Sequence, residues 1–265
     1  MKNKFSSEFM YQVFALFLAV IFVHAVYVGI IRPNADAIVE QQLALQAAGE
    51  NFVPSRSLYV ILKDYEQESC FILMLWAMAI MGYKAREALR QRSLLDHKLI
   101  QVSEGMNILP EDAREYQRPI QALPEHEREY LLSRLLLTAL QRFGLTRNIQ
   151  SVASSIREAC ETESDRLDSE LSMIRYIAWA IPSIGFIGTV RGIGEALGQA
   201  HRAVEGDIAG VTASLGVAFN STFVALVISI IIMFLLHQLQ LLQERLVLDD
   251  QKYCDNNLMR YLQVR

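Results

Sequence analysis

Cysteine is scarce in this chain of 265 residues, and neither acidic nor basic residues dominate its charge. The three cysteines, Cys70, Cys160 and Cys254, are isolated and have no metal-ligand spacing, and Cys70 falls in an apolar run. The sequence therefore indicates neither a disulfide framework nor a cysteine metal site. Charged residues make up 20% of the chain and the net charge is −4, so nothing in the charge points to nucleic acid as a partner.

Enzyme motifs are absent as well. The sequence has no P-loop lysine motif, no His-Glu-x-x-His and no nucleophile elbow. Gly192, Gly194 and Gly198 only weakly match a dinucleotide fingerprint, and they stand in an apolar run instead of following a strand. A membrane-embedded enzyme would need clustered polar residues at one depth, and the spans offer only hydroxyls and one ion pair. We expect no enzymatic activity, no cofactor and no metal.

Long apolar runs are what the sequence does contain. Apolar residues are 52% of the chain, and they collect in runs instead of spreading as in a soluble core. The run 9–31 would be roughly 35 Å long as a helix, is longer than a signal-peptide core and lacks a small-x-small cleavage site, so it is read as a retained span. The fold class is therefore all-α, a polytopic membrane protein with four transmembrane helices, 9–31, 68–83, 176–198 and 208–237. The second span is short, because its apolar part begins only at Cys70.

Basic residues near the span ends predict the orientation. Lys2 and Lys4 precede the first span, and Lys84 and Arg86 follow the second, and such residues favour the cytoplasmic side. We expect a bacterial inner-membrane, multi-pass protein with both termini in the cytoplasm. The predicted segments outside the spans are a cytoplasmic N-terminus (1–8), a periplasmic segment (32–67), a helical cytoplasmic domain (84–175), a periplasmic turn (199–207) and a cytoplasmic C-terminal helix (238–265).

The predicted cytoplasmic domain has the apolar periodicity of helices. Pro124 predicts a helix start and Gly144 a helix stop, with an apolar stripe between them formed by Leu131, Leu132, Leu135, Leu136 and Phe143. A second stripe runs from Ile149 into the third span without a breaker. The fourth span continues in the same way through Leu246, Cys254 and Leu262.

Two sequence blocks resemble a known family. Residues 182–192 read PSIGFIGTVRG and residues 214–226 read SLGVAFNSTFVAL. Over roughly residues 145–250 the chain resembles the MotA/TolQ/ExbB proton channel (stator subunit) family, with its proline before a Gly-x-x-Gly-Thr-Val-x-Gly core. Arg191 stands where that family often has an apolar or aromatic residue, and Val217 stands where one branch has an acid.

The resemblance implies a ring-forming subunit of an ion-driven motor. Members of this family assemble as a homo-oligomer, understood to be a pentamer, around two copies of a single-span MotB/ExbD/TolR-like partner that carries a membrane aspartate. The resemblance implies transport of H⁺, or alternatively Na⁺, with the flux converted to mechanical motion. The alternative from a different class is a non-conducting membrane scaffold or receptor whose cytoplasmic helices bind a partner.

The predicted ion pathway consists of Thr189 and Thr222. At the helical rise, Thr189 lies roughly 20 Å along the third span from Tyr176, and Thr222 roughly 21 Å along the fourth from Ile208. Both therefore reach the middle third of the bilayer from opposite sides. The alternative is that each threonine bonds its own backbone four residues back, as is common in spans.

The remaining predicted site residues have structural roles. Gly185, Gly188 and Gly192 form a small-residue strip for close helix packing, which could also be ordinary packing, and Pro182 removes one backbone hydrogen bond. Arg191 points away from Thr189, and we expect it to be a buried polar group held by Glu195, Asn220 or both; the alternative is a positive ring guarding ion access. His24 and Trp76 are interpreted as packing or lipid-facing residues.

Overall fold

The computed structural model describes residues 2–47, 57–97, 99–102, 106–204 and 208–264. Residues 48–56 of the predicted periplasmic segment and residues 205–207 of the predicted periplasmic turn lie outside the described residues, as do the side chains of Lys2 and Lys4. Across the described ranges the chain is helical and no strand forms, apart from an isolated bridge between Ile108 and Leu262. The all-α fold class is confirmed.

Eleven α-helices are found among the described residues. In order they are α1 (Lys2–Val26), α2 (Arg32–Ala47), α3 (Leu58–Leu62), α4 (Tyr65–Ser93), α5 (Ala113–Gln121), α6 (Glu125–Arg128), α7 (Leu131–Thr146), α8 (Ile149–Glu170), α9 (Ser172–Gly198), α10 (Ala200–Val204) and α11 (Ala209–Asn257).

Four helical stretches are long and apolar enough to cross a membrane, as the sequence predicts. They are Glu8–Gln42, Tyr65–Asp96, Ile149–Gly198 and Ala209–Tyr261, of 32 to 53 residues each. A hydrocarbon layer of about 30 Å accommodates only about 20 helical residues. We therefore expect the charged parts of these helices, including residues 149–175 and 238–261, to lie outside the hydrocarbon.

The first span does not end where its apolar run ends. A π-helical turn, Tyr27–Ile31, follows α1 and leads directly into α2, which contains Pro33. Proline has no N–H for the carbonyl four residues back, here that of Gly29, and its ring crowds that carbonyl. A π turn widens the helix at this position, so the chain continues as a helix to Ala47 instead of stopping.

The chain forms two compact units. The first contains Met1–Met81 and Met173–Leu236, which hold all four apolar runs apart from their ends. Its buried interior is built largely from small side chains, among them Ala77, Ala178, Ala218 and Ala225. Small side chains let helix backbones approach closely, which in a bilayer replaces the hydrophobic driving force between helices.

The second unit contains Gly82–Ser172 and His237–Arg265 and has its own apolar core. The predicted stripe of α7 is buried throughout, from Leu131 to Phe143, and Cys254 and Leu262 of the C-terminal segment join the same core. The predicted helix stop at Gly144 is wrong. α7 continues to Thr146 and is capped by Arg147, which adopts a left-handed conformation with φ 51°. Gly144 instead packs closely, since an added Cβ would lie 3.4 Å from the carbonyl oxygen of Pro110.

Candidate functional site

The hydroxyls of Thr189 and Thr222 meet between α9 and α11, where they are hydrogen-bonded to each other. Thr189 Oγ1 lies 3.2 Å from the carbonyl oxygen of Gly185 and 3.1 Å from that of Ala218. Thr222 Oγ1 lies 3.2 Å from the same Gly185 oxygen. Thr189 thus bonds its own helix four residues back, whereas Thr222 bonds across to α9. Both threonines are half-buried.

Around the hydroxyl pair, α9 and α11 pack closely against each other at the glycines of α9. A Cβ added at Gly185 would lie 2.6 Å from Ala225 Cβ, and one at Gly188 would lie 2.5 Å from Ser221 Cβ. At Gly192 the obstacle is backbone, because an added Cβ would lie 2.7 Å from the amide nitrogen of Ala218. The strip of glycines in α9 is therefore in direct contact with α11.

Pro182 has a partner on α11 that repairs its missing hydrogen bond. α9 remains one helix through Pro182, and the carbonyl that loses its N–H donor belongs to Ala178, four residues earlier. Ser229 Oγ donates to that carbonyl at 3.2 Å. A serine hydroxyl thus supplies a hydrogen-bond donor to a buried carbonyl that Pro182 leaves without one.

Replacing Gly192 with alanine is expected to destabilise the bundle by about 1–3 kcal/mol, because the new methyl group meets backbone that cannot rotate away. The measurement is the free energy of unfolding of the full chain in detergent. Gly194→Ala is the matched control, since a Cβ there meets nothing within 4 Å. Equal effects of the two substitutions would contradict the packing account.

The Arg191 guanidinium has acidic partners from two helices. It donates to both carboxylate oxygens of Glu66 on α4, at 2.7 and 2.9 Å, and to Glu195 at 3.1 Å. Asp64 lies 3.9 Å away. The contact with Glu195 matches the prediction, but the principal partner, Glu66, was missed because it lies 125 residues away in the chain.

Two features of the predicted Arg191 site are wrong. Asn220 is half-buried on α11 and makes no hydrogen bond with Arg191 in the part of the chain that is described. Arg191 and Glu195 are also not buried within one chain, since their side chains are 39% and 45% exposed. The reason is that Arg191 pairs with carboxylates at the acidic start of α4, Asp64 and Glu66, which are stronger partners for a guanidinium than the neutral amide of Asn220.

A second ionic cluster joins α1, α2 and α4. Glu68 accepts from His24 Nδ1 at 2.7 Å and from the Arg32 guanidinium. The Glu68 side chain is only 8% exposed, and a buried carboxylate needs such donors. His24 is therefore more than the packing or lipid-facing residue predicted, although it is largely exposed. Trp76 does have a packing role, since its Nε1 donates to the carbonyl oxygen of Gln12 at 2.9 Å.

Among the described residues no group of three or more His, Cys, Asp and Glu side chains is arranged to hold a metal ion. The Thr189/Thr222 site itself consists of two hydroxyl groups, each with one hydrogen to donate and two lone pairs that accept, placed within hydrogen-bond distance of each other and of the carbonyl oxygen of Gly185. Both hydroxyl groups are uncharged, so they offer hydrogen bonds but no group that itself takes up a proton.

Four helices long and apolar enough to cross a membrane, with a glycine strip and a facing hydroxyl pair between two of them, are typical of a polytopic helical membrane protein. Residues 127–251 match the model of the MotA/TolQ/ExbB proton channel family. The predicted family is thereby confirmed over both sequence blocks. No curated protein and no solved structure matches the chain. Residues 1–126, with Glu66 and Glu68, lie outside the family match.

Proposed function

We propose that this chain is the ring subunit of a proton-driven motor or stator complex of the bacterial inner membrane, with both termini in the cytoplasm. In this proposal the Thr189/Thr222 hydroxyl pair conducts the ion. The observation that carries it is the mutual hydrogen bond of these two hydroxyls between α9 and α11, in the segments that match a proton channel family. Protons are proposed as the transported ion, and Na⁺ as the alternative.

The conducting segments require an acid from elsewhere. No Asp or Glu occurs in residues 176–194 or 208–236, so the hydroxyl pair has no neighbour on these spans that can bind and release a proton. A single-span MotB/ExbD/TolR-like partner with an aspartate in its span would supply it. Each charge that crosses releases roughly 2.3 kcal/mol per 100 mV, which is enough to drive a step of the ring around such a partner.

The outward faces of α9 and α11 suit an assembly within the membrane. Large apolar side chains are more than half exposed on a single chain, including Phe186, Val190, Phe219 and Phe223. In a bilayer such surfaces face lipid or a neighbouring copy. This supports a homo-oligomer, for which a pentamer is proposed, with the half-buried hydroxyl pairs around a central axis.

The test is particle imaging of the full chain purified with a single-span protein that is encoded beside it. The expected result is a ring of five copies that encloses the partner's helices, with Thr189 and Thr222 near them. A single protomer, or a ring without a central cavity, would contradict the proposal. A ring with no partner at its axis would favour the non-conducting scaffold.

A further inference from the structure

Two consecutive residues at the start of α4, Glu66 and Gln67, contact the two helices that carry the hydroxyl pair. The Arg191 guanidinium of α9 donates to both oxygens of the Glu66 carboxylate, at 2.7 and 2.9 Å. Gln67 Nε2 donates to Ser221 Oγ of α11 at 3.4 Å. The Glu66 side chain is only 12% exposed and Gln67 is fully buried, so both contacts lie inside the bundle.

These contacts lie beside the two threonines. Gly188 immediately precedes Thr189, and Ser221 immediately precedes Thr222. A Cβ added at Gly188 would lie 3.2 Å from Glu66 Cγ and 2.6 Å from Ser221 Oγ. Glu66 therefore packs against α9 one residue before Thr189, and its carboxylate holds the same helix two residues after it. The start of α4 is thus the third wall of the α9–α11 contact at the level of the hydroxyl pair.

The contact between α9 and α11 needs polar groups to fix its register. Glycines let two helices approach closely, but they offer few side chains that interlock along the helix axis. A hydrogen bond between two hydroxyls, in contrast, is lost when the oxygen atoms move apart by a few tenths of an ångström. Fixing the register of packed helices is the best-attested use of enclosed polar and ionic pairs. The ion pair of Glu66 with Arg191 is suited to this use.

The first turn of α4 is itself held in place by the N-terminal part of the chain. Glu68 accepts from His24 of α1 and from Arg32 of α2. Gln67 Nε2 also donates to the carbonyl oxygen of Ile61 in α3, at 3.0 Å. Three other helices therefore hold this turn, so the contacts that it makes with α9 and α11 start from a fixed position.

We propose that Glu66 and Gln67 are positioning residues that hold α9 and α11 in the register at which the two threonine hydroxyls meet. They act through the helices, because neither residue bonds a threonine hydroxyl in the part of the chain that is described. α4 lies outside the family match, so the positioning contacts come from a part of the chain beyond the matched segment. The inference rests on the proposed function only for the consequence that this register governs conduction.

Disulfide crosslinking measures the register without any conduction. In the full chain in lipid nanodiscs, the double variant Thr189→Cys/Thr222→Cys should form a 189–222 disulfide on mild oxidation, identified by mass spectrometry. Adding Glu66→Gln should lower its yield by about 10-fold, because the ion pair loses its charge and its second acceptor. Glu195→Gln is the matched control. It removes another acidic partner of Arg191, but one on α9 itself, so the yield should not change.

Charge exchange tests the ion pair itself. Glu66→Arg should abolish most of the crosslink because two guanidinium groups then face each other, and adding Arg191→Glu should restore much of it. With the natural threonines in place, Glu66→Gln should reduce proton uptake by vesicles that contain the complex by about 10- to 100-fold, the scale of a small misplacement. The exchanged pair should recover this uptake. Gln67→Leu should change both readouts in the same direction but less, since its contact is uncharged.

Two results would overturn the positioning role: a yield that Glu66→Gln leaves unchanged, or a yield that Glu195→Gln lowers equally. If Glu66→Gln does not fold, the exchanged pair decides, and its failure to restore the disulfide would overturn the role as well. If Glu66→Gln lowers the yield while threonine-to-valine variants conduct normally, the proposed function fails and the positioning role stands. If those variants block conduction while the yield ignores Glu66→Gln, only the positioning role fails.

Discussion

Valine at both Thr189 and Thr222 is expected to reduce proton conduction by about 100-fold or more, the scale of losing a positioned proton-transfer group. Valine keeps the branched shape of threonine but removes the hydroxyl, so the pair that joins α9 and α11 loses its mutual hydrogen bond. The carbonyls of Gly185 and Ala218 remain available to their own helices. We therefore expect a loss of stability of only about 1 kcal/mol, with assembly unchanged.

The measurement is acidification of vesicles that contain the full complex under an imposed membrane potential. Thr212→Val is the matched control, since Thr212 is exposed on α11 and its hydroxyl bonds only the carbonyl oxygen of Ile208 in its own chain segment. Serine at positions 189 and 222 keeps the hydroxyl and should retain much of the conduction. Full activity in both single valine variants would show that the hydroxyl pair is not the ion pathway.

The helices and the α9–α11 contact could be predicted from the sequence because local signals determine them. A run of apolar residues identifies a span by length and composition alone. Glycines spaced along one helix indicate a face that a neighbouring backbone can approach, and Gly185, Gly188 and Gly192 do contact α11. Thr189 and Thr222 were assigned by the spacing of two family blocks, and the structure brings their hydroxyls together.

The acidic start of α4 could not be predicted in the same way. Periodicity within a helix identifies partners three or four residues away, and it correctly pairs Arg191 with Glu195. It gives no information about Glu66, which reaches Arg191 only after α4 and α9 have packed together. Asp64 and Gln67 fall just before the weakest predicted span, where the sequence leaves the boundary open. Gln67 contacts Ser221 on α11, which lies 154 residues away in the chain.

One buried acid in the second unit could have been found from periodicity. Asp250 lies four residues after Leu246 and four before Cys254 on the apolar stripe of α11, and it is 1% exposed. Burial raises the pKa of Asp250 to about 7, with smaller contributions from Asp249 and Glu163. Its Oδ1 atom has no hydrogen-bond partner in the part of the chain that the structure describes. Ionised Asp250 is therefore an unpaired buried charge.

Glu163, another buried acid of the second unit, has the basic partners that Asp250 lacks. Its side chain is also nearly buried, and burial alone would raise its pKa, but hydrogen bonds and charge from Arg166 and Arg134 outweigh burial and hold the pKa below its usual value. Arg134 donates to it at 2.5 Å and Arg166 at 2.5 and 3.2 Å. Two carboxylates in one unit thus have opposite shifts, because only one of them has basic partners.

Asp250→Asn is expected to stabilise the second unit above pH 7 and to change little near pH 4. The folded state binds the Asp250 proton more tightly than the unfolded state, so this group's full contribution is present below its unfolded value of 3.8 and is lost as the pH rises through about 7. The difference corresponds to up to about 4 kcal/mol. The check is amide hydrogen exchange of residues 131–172 and 238–262 in the full chain at pH 5 and pH 8.

Asp255→Asn is the matched control, because Asp255 is exposed one turn further along α11. It removes the same charge from the same helix without relieving a buried group, so its effect should be within about 0.5 kcal/mol at either pH. If Asp250→Asn shows no greater protection at pH 8 than Asp255→Asn, Asp250 is ionised at little cost and must have gained a partner or water on assembly. A gain in protection that is larger at pH 8 than at pH 5 would identify Asp250 as the group that makes this unit less stable as the pH rises.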